Sequence, residues 1–254
     1  MFSPAFREHV REWLIELACA DAAVTAAALV GSAASGREDA WSDIDLALRL
    51  AEDADPATVA HEWSTSISRT FNVADQLDIY SDATLFRVFL LAETLQVDIS
   101  FWPDSRFAAS GGAFQLIFGE ANPPVGPTPF DVRTAVRMGW LYALHVRSSL
   151  ARNRRWQAIH MLQGMRDRVL ELACMRHDLP PYQGRGLDDL PSTLLHALQA
   201  TLVELPADGQ LHAAFGHVAE ALLLEARHVD VRLATALQDP LRELVRTSRS
   251  AADH

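Results

Sequence analysis

The chain contains no lysine, so all 22 of its basic residues are arginine. This absence excludes a Schiff-base lysine and a P-loop lysine, and it leaves guanidinium groups, backbone amides or metal to hold any phosphate. Long apolar runs are also absent, since no window approaches the roughly 18 residues that a membrane span requires. The N-terminal segment mixes acids and bases with apolar residues, unlike a secretory signal. We therefore expect a folded cytoplasmic protein without a membrane partner.

Cysteine is scarce, with only Cys19 and Cys174 in 254 residues. The two are far apart in sequence, and each lies within an apolar helical stretch. This placement favours buried free thiols over a disulfide or a reactive nucleophile. We assign no chemical role to either cysteine.

Basic residues are in the minority, and the formal net charge is −11. Residues 1–132 carry 20 acids and 7 arginines, residues 133–185 carry 3 acids and 10 arginines, and residues 186–254 carry 10 acids and 5 arginines. So acidic a chain is not expected to bind nucleic acid, because such proteins need a basic surface that displaces counterions. A local basic segment together with carboxylates fits a small polyanion held with metal.

The first half of the chain shows both helical and strand periodicity. Ser3 and Pro4 predict the start of an amphipathic helix, and Pro56 predicts the start of another that ends near Phe71. Apolar runs and period-two alternation predict five strands. They are Val24–Val30, Asp43–Leu50, and the runs near Val73–Tyr80, Leu85–Leu91 and Leu95–Trp102. This half is predicted to be α+β with a mixed sheet.

The segment Asn122–Phe130 holds four prolines in nine residues and marks a domain boundary, because no regular element tolerates them. From Asp131 onward the chain shows only helical stripes, such as the one that Val132, Val136 and Trp140 form. We predict an N-terminal sheet domain over residues 1–125 and an all-α helical bundle over residues 130–254.

The stretch LVGSAASGREDAWSDIDLAL combines two features that are uninformative separately. Asp43 and Asp45 alternate along a strand, so their carboxylates share one face and repel each other unless a cation lies between them. Mg²⁺ is typically bound by one or two carboxylates together with substrate phosphates. Gly31 lets the backbone approach a phosphate closely, and Ser32 offers a hydroxyl. Together these features indicate a nucleoside triphosphate bound with Mg²⁺.

A third carboxylate is expected in the stretch LQVDISFWP, where Asp98 alternates with apolar residues. An aspartate beside apolar and aromatic residues is costly to bury without a partner. Asp98 is therefore a better candidate than Asp78 or Asp82.

The segments GSAASGREDAWSDIDLAL and VDISFWP resemble the Gly-Ser, Asp-x-Asp and late-strand Asp pattern of the polymerase-β-like nucleotidyltransferase superfamily. The part that carries the resemblance covers roughly residues 24–104. Since a helical domain follows, the chain is similar to the antibiotic nucleotidyltransferases that adenylylate aminoglycosides or lincosamides. The resemblance implies transfer of AMP from ATP to a hydroxyl of such a molecule, with release of pyrophosphate and with antibiotic resistance as a role.

The resemblance also implies roles for individual residues. Gly31 and Ser32 would hold the nucleotide phosphates, and Asp43 and Asp45 would bind Mg²⁺. Asp98 would either complete a second metal site or take the proton from the attacking hydroxyl. Two Mg²⁺ ions would neutralise the triphosphate and align an in-line attack on the α-phosphorus.

Some family members take the general base from the helical domain, where Glu171 and Glu225 are candidates. Four arginines are candidates for contacting the triphosphate: Arg37, Arg133, Arg137 and Arg166. The alternative for each is an exposed helix or loop position, and for Arg166 it is also an ion pair with Asp167 or another acid. Trp41 is expected to pack against the motif loop.

Two other functions are compatible with the sequence. The acceptor could be a protein side chain, as in the minimal nucleotidyltransferases that act as antitoxins, or the chain could be a catalytically silent nucleotide-binding module. The antitoxin-like proteins are usually much shorter and lack a helical bundle. Because family members are often dimers, a homodimer is expected.

Overall fold

A computed structural model describes residues 2–109, 111–126 and 128–249. The chain divides into two compact units, Met1–Thr128 and Pro129–His254. Each unit has its own hydrophobic core.

The described residues of the first unit form three α-helices and six strands. In chain order they are α1 (Pro4–Ala20), β1 (Val24–Val30), α2 (Gly31–Ala34), β2 (Ile44–Leu50), α3 (Pro56–Thr70), β3 (Val73–Ser81), β4 (Thr84–Leu91), β5 (Gln96–Trp102) and β6 (Phe114–Phe118).

The two long helices of this unit begin in the same way. Ser3 caps α1 by accepting a hydrogen bond from a backbone amide of the first turn (3.1 Å), and Asp55 caps α3 likewise (2.9 Å). Pro4 and Pro56 follow the caps, at positions where the missing amide hydrogen costs nothing. Both starts agree with the sequence prediction.

The six strands form one mixed sheet in the order β3-β4-β5-β2-β1-β6. Strands β2 and β5 are parallel, whereas every other neighbouring pair is antiparallel. The predicted α+β class with a mixed sheet is confirmed. Strand β6 was not predicted, and it completes the sheet by pairing with β1.

The alternation of side chains along β2 distinguishes the two faces of the sheet. On one face, Ile44 and Leu46 of β2 lie in the main core with Leu14 of α1 and Trp63 of α3. Successive side chains of a strand point to opposite faces, so the same alternation places Asp45 on the other face. That second face carries the candidate site.

The second unit is helical, as predicted, and contains no strand among its described residues. Its helices are α4 (Val132–Ala151), α5 (Arg155–Arg176), α6 (Ser192–Gln199), α7 (Asp208–Val229) and α8 (Val231–Arg249). Phe215 of α7 is fully buried in the core of this unit, together with Val136 of α4 and Met165 of α5.

Two expectations about single side chains are wrong. Cys19 is exposed, since it lies on the outer side of α1, while Cys174 is buried as expected. Trp41 is 71% exposed and does not pack against the motif loop.

Within the described part of the chain, we find no helix with the length and apolar character needed to cross a membrane.

Candidate active site

Three carboxylates meet on the open face of the sheet. Asp45 of β2 lies directly beside Asp98 of β5 in the parallel pair, and Asp43 immediately precedes β2. One carboxylate oxygen from each of the three residues lies within 4.8 Å of the other two, and all three residues are half-buried. Strand pairing thus brings together acids that are more than 50 positions apart in sequence.

Gly31 is required by the position of Asp45. Its backbone has a φ of +65°, a conformation that residues with a side chain rarely adopt. A Cβ atom at this position would lie 2.2 Å from Asp45 Oδ2. The turn after β1 can therefore pass beside the carboxylates only because residue 31 has no side chain.

Ser32 lies in the same turn, and its hydroxyl has an unusual environment. The Ser32 Oγ atom is buried and has no hydrogen-bond partner among the described residues. A buried hydroxyl without a partner loses its hydration without compensation. The neighbouring turn is closed by Ser35, whose hydroxyl donates to the carbonyls of Gly31 (3.2 Å) and Ser32 (3.0 Å).

Burial raises the pKa of Asp98 above its ordinary value. A hydrogen bond from the Gln96 side-chain amide (3.1 Å) opposes this rise, and the nearby charge of Asp43 adds to it. Among the described side chains, neither Asp43 nor Asp98 forms an ion pair with arginine. The cluster therefore concentrates negative charge in a partly desolvated place.

The donor set fits a hard divalent cation. Three carboxylates offer oxygen ligands of the kind that Mg²⁺ prefers, and a cation would relieve their mutual repulsion. Gly31 packs directly against Asp45, and the buried hydroxyl of Ser32 belongs to the next residue of the same turn. The residues present therefore suit an ion together with an oxygen-rich ligand such as a phosphate.

The two alternative third acids are engaged elsewhere. Both oxygens of Asp78 accept hydrogen bonds from Arg87 (2.6 Å each), which lowers the pKa of Asp78. Asp82 forms an ion pair with Arg106 (2.9 Å). Neither residue belongs to the group formed by Asp43, Asp45 and Asp98.

Helix α1 holds the loop that precedes Asp43, a contact that was not predicted. Buried Arg7 donates hydrogen bonds from Nη1 to the backbone carbonyls of Asp39 and Ser42 (3.0 Å to the latter). Arg11 donates to both oxygens of Glu38 (2.7 Å each). An arginine at residue 7 of a helix that otherwise presents Val10 and Leu14 to the core is the one signal that could have suggested it.

Arg37 is the one candidate phosphate-binding arginine that lies in the first unit. It is exposed, and its Nε donates to the hydroxyl of Ser35 (3.1 Å) in the turn that follows β1. It therefore lies in the same loop as the Gly-Ser turn.

The other three candidate arginines belong to the helical unit. Arg133 forms an ion pair with Asp230, and Arg137 is exposed on α4. Arg166 donates from Nη1 to the backbone carbonyl of Thr201 (2.8 Å), and burial lowers its pKa. The expected ion pair between Arg166 and a carboxylate does not form among the described side chains.

The two glutamates proposed as a general base differ sharply. Glu225 is only 3% exposed, and both of its oxygens accept hydrogen bonds from Arg176 (2.8 and 2.9 Å). It is part of the core of the helical unit rather than an accessible base. Glu171 forms an ion pair with Arg168 (2.6 Å) beside a cavity of about 290 Å³, and burial raises its pKa.

The comparisons with known proteins give little beyond this geometry. No protein family matches the sequence, and no curated protein matches it. Among solved structures, the chain is similar to an aminoglycoside 6-adenyltransferase from Bacillus subtilis, with 12% identity over 91% of this chain and 95% of that one. The TM-score is 0.35, which is too low to support a conclusion about fold or activity.

Proposed function

We propose that this protein is a Mg²⁺-dependent nucleotidyltransferase that moves AMP from ATP to a hydroxyl group of a small molecule. The observation that carries the proposal is the cluster of Asp43, Asp45 and Asp98 beside the Gly31–Ser32 turn. The arrangement supplies three carboxylates and, in the turn that packs against Asp45, a buried hydroxyl without a partner, which suits a metal-bound triphosphate.

Asp43 and Asp45 would hold Mg²⁺, which would offset the charge of the triphosphate and of the departing pyrophosphate. Ser32 would donate its buried hydroxyl to a phosphate oxygen, and Arg37 could reach the same group from the adjacent loop. Partial burial of the aspartates and burial of the Ser32 hydroxyl would strengthen their electrostatic contacts.

Asp98 would accept the proton of the acceptor hydroxyl. The freed oxygen attacks the α-phosphorus of ATP, the bond from that phosphorus to the bridging oxygen breaks, and pyrophosphate leaves with the electron pair. The raised pKa of Asp98 suits a general base, because proton transfer is most effective when the pKa lies nearer to neutral pH. Aminoglycosides, lincosamides or other small hydroxylated compounds are candidate acceptors.

The test is release of pyrophosphate from ATP and Mg²⁺ across a panel of hydroxylated acceptors, with an acceptor-free control. Asp43→Asn and Asp45→Asn should each reduce acceptor-dependent release by about a thousandfold, or about 4 kcal/mol in activation free energy, because each removes a metal ligand. Asp53→Asn, which changes an exposed aspartate in the loop after β2, is the matched control and should leave the rate unchanged.

Full activity in both ligand variants would contradict the metal assignment. Binding of Mg²⁺-ATP without release of pyrophosphate for any small acceptor would instead favour a protein acceptor or a silent nucleotide-binding module.

A further inference from the structure

An exposed apolar patch lies at the β3 edge of the sheet. Its members come from β3 and β4, and we call them the β3–β4 apolar surface: Leu77, Ile79, Phe86, Val88 and Leu90. Leu77 is 59% exposed, Ile79 49% and Leu90 48%, while Phe86 and Val88 are half-buried. Contiguous apolar patches of this kind on a folded protein commonly mark binding sites.

The strand register places this surface on the same face as the acidic cluster. Val88 lies directly opposite Asp98 in the β4–β5 pair, and Leu77 lies opposite Val88 in the β3–β4 pair. Directly opposed residues of paired strands point to the same face, with Cβ atoms about 5 Å apart. The series from Asp98 through Val88 to Leu77 is therefore continuous.

An aromatic contact also connects the β3–β4 apolar surface to β5, the strand that carries Asp98. Phe86 packs edge to face against Trp102, with ring centroids 6.1 Å apart. Trp102 is on β5, four residues after Asp98, and its side chain points to the same face. The indole is held by a hydrogen bond to the hydroxyl of Ser100 (2.8 Å).

Asp98 lies on β5, which has β2 as its neighbour on one side and β4 on the other. On the β2 side lie Asp45 and Asp43, where the metal and triphosphate would bind according to the proposed function. On the β4 side lies Val88. An acceptor whose hydroxyl reaches Asp98 therefore has the rest of its body over the β3–β4 apolar surface.

The charges nearby also limit the acceptor. None of the five residues is charged, and the buried Arg87 of the same strand β4 points to the opposite face, where it pairs with Asp78. Asp75, opposite Leu90, is the charged residue of β3 on this face. A polycation would find few carboxylates here, whereas an alkyl or aromatic group would bury apolar area on both partners.

Building on the proposed function, we infer that the acceptor is an amphiphile: a hydroxyl group next to an alkyl or aromatic body that rests on the β3–β4 apolar surface. Metal-assisted transfer requires only a hydroxyl group on the acceptor, so the apolar surface would provide the selection among hydroxylated molecules. It favours hydroxylated molecules with an apolar portion over polycationic sugars.

The first test is direct binding of methyl, butyl and hexyl β-D-glucoside, measured by calorimetry in the presence of Mg²⁺. The three probes carry the same hydroxyls, so any trend reports the alkyl chain. Affinity should rise about twofold for each added methylene, because a group resting on an open surface gains about half of the effect of full burial. A polycationic aminoglycoside serves as the comparison and should bind less tightly than the hexyl compound.

Leu77→Gln/Ile79→Gln should remove the chain-length trend, and Leu90→Gln should weaken it independently. Tyr80→Gln is the matched control, because Tyr80 is 63% exposed on the same strand but points to the opposite face. Unchanged melting temperatures would show that these surface changes leave the fold intact. A trend that survives the double variant, or tighter binding of the aminoglycoside, would overturn the inference.

Pyrophosphate release separates this inference from the proposed function. Release by the wild type with an acceptor KM that the double variant leaves unchanged would overturn the apolar surface alone. Chain-length-dependent binding without any release would overturn the proposed transfer and still support the surface. Concentration-dependent dimerisation that the double variant abolishes would identify the surface as a contact between two copies and would also overturn the inference.

Discussion

The two units of this protein differ in whether their buried or half-buried carboxylates are paired with arginine. In the helical unit, Glu225 is buried, and both of its oxygens accept hydrogen bonds from Arg176, whose side chain extends to the surface. In the sheet unit, Asp43, Asp45 and Asp98 lie within 4.8 Å of one another, and no arginine forms an ion pair with Asp43 or Asp98 among the described side chains. The first carboxylate has its counterion within the fold, whereas we expect the second group to gain stability when it binds a cation.

Arginine is nevertheless present near the acidic cluster. Arg7 and Arg11 contact the loop before Asp43, but they bind backbone carbonyls and Glu38 instead of the clustered aspartates. These two arginines thus position the loop beside the cluster, and neither forms an ion pair with Asp43 or Asp98. The difference between the units should therefore appear in stability measurements as well as in activity.

The largest expected effect on stability is at the complete pair. Glu225→Gln removes the buried carboxylate that accepts two hydrogen bonds from Arg176, and it should lower the free energy of unfolding by about 3 kcal/mol, because hydrogen bonds to a charged group contribute about 1.5 to 3 kcal/mol. Denaturant unfolding measures the change. Glu220→Gln is the control on the same helix, because its ion pair with Arg242 is exposed and should contribute less than about 1 kcal/mol. Equal effects of the two substitutions would contradict the assignment of Glu225 as a core ion pair.

A smaller effect is expected where arginine holds the loop. Arg7→Gln removes charged hydrogen bonds to the carbonyls of Asp39 and Ser42 and should cost about 2 kcal/mol of stability. Because the loop leads directly into Asp43, the variant should also bind Mg²⁺ about tenfold more weakly, measured by calorimetry. Arg69→Gln, an exposed position in the last turn of α3, should change neither quantity. Weaker folding with unchanged Mg²⁺ affinity would show that Arg7 supports the fold but does not position Asp43.

The sequence was most informative where local pattern and geometry coincide. Strand β1 was predicted with its observed bounds, because an apolar run between a helix and a Gly-Ser turn has few other readings. Alternation alone predicted that Asp45 and Asp98 each point away from the apolar side chains of their own strand, since a strand has a period of two. The register that places them side by side depends on pairing across the sheet, which no local pattern encodes.

Long-range contacts account for what the sequence did not indicate. Strand β6 has only five residues and forms part of the sheet through its pairing with β1, nearly 90 positions earlier. The contact of Arg7 with Ser42 spans 35 positions. Glu225 did carry a readable signal, because it continues the buried helical stripe of Phe215, Val218 and Leu222. An acid on such a stripe requires a buried partner, which makes it a poor candidate for an accessible base.

The smallest expected effect is at the acidic cluster itself, and it has the opposite sign. Asp98→Asn removes one of three neighbouring negative charges, so without metal it should raise the free energy of unfolding by about 1 kcal/mol, the energy of one pair of charges at this separation in water. Mg²⁺ should stabilise the wild type by about 1.4 kcal/mol at ten times its dissociation constant, and it should stabilise the variant less. Thermal unfolding in EDTA and in Mg²⁺ measures both changes. A variant that is less stable than the wild type in EDTA would show that the fold already neutralises the cluster, and the contrast between the two units would then be lost.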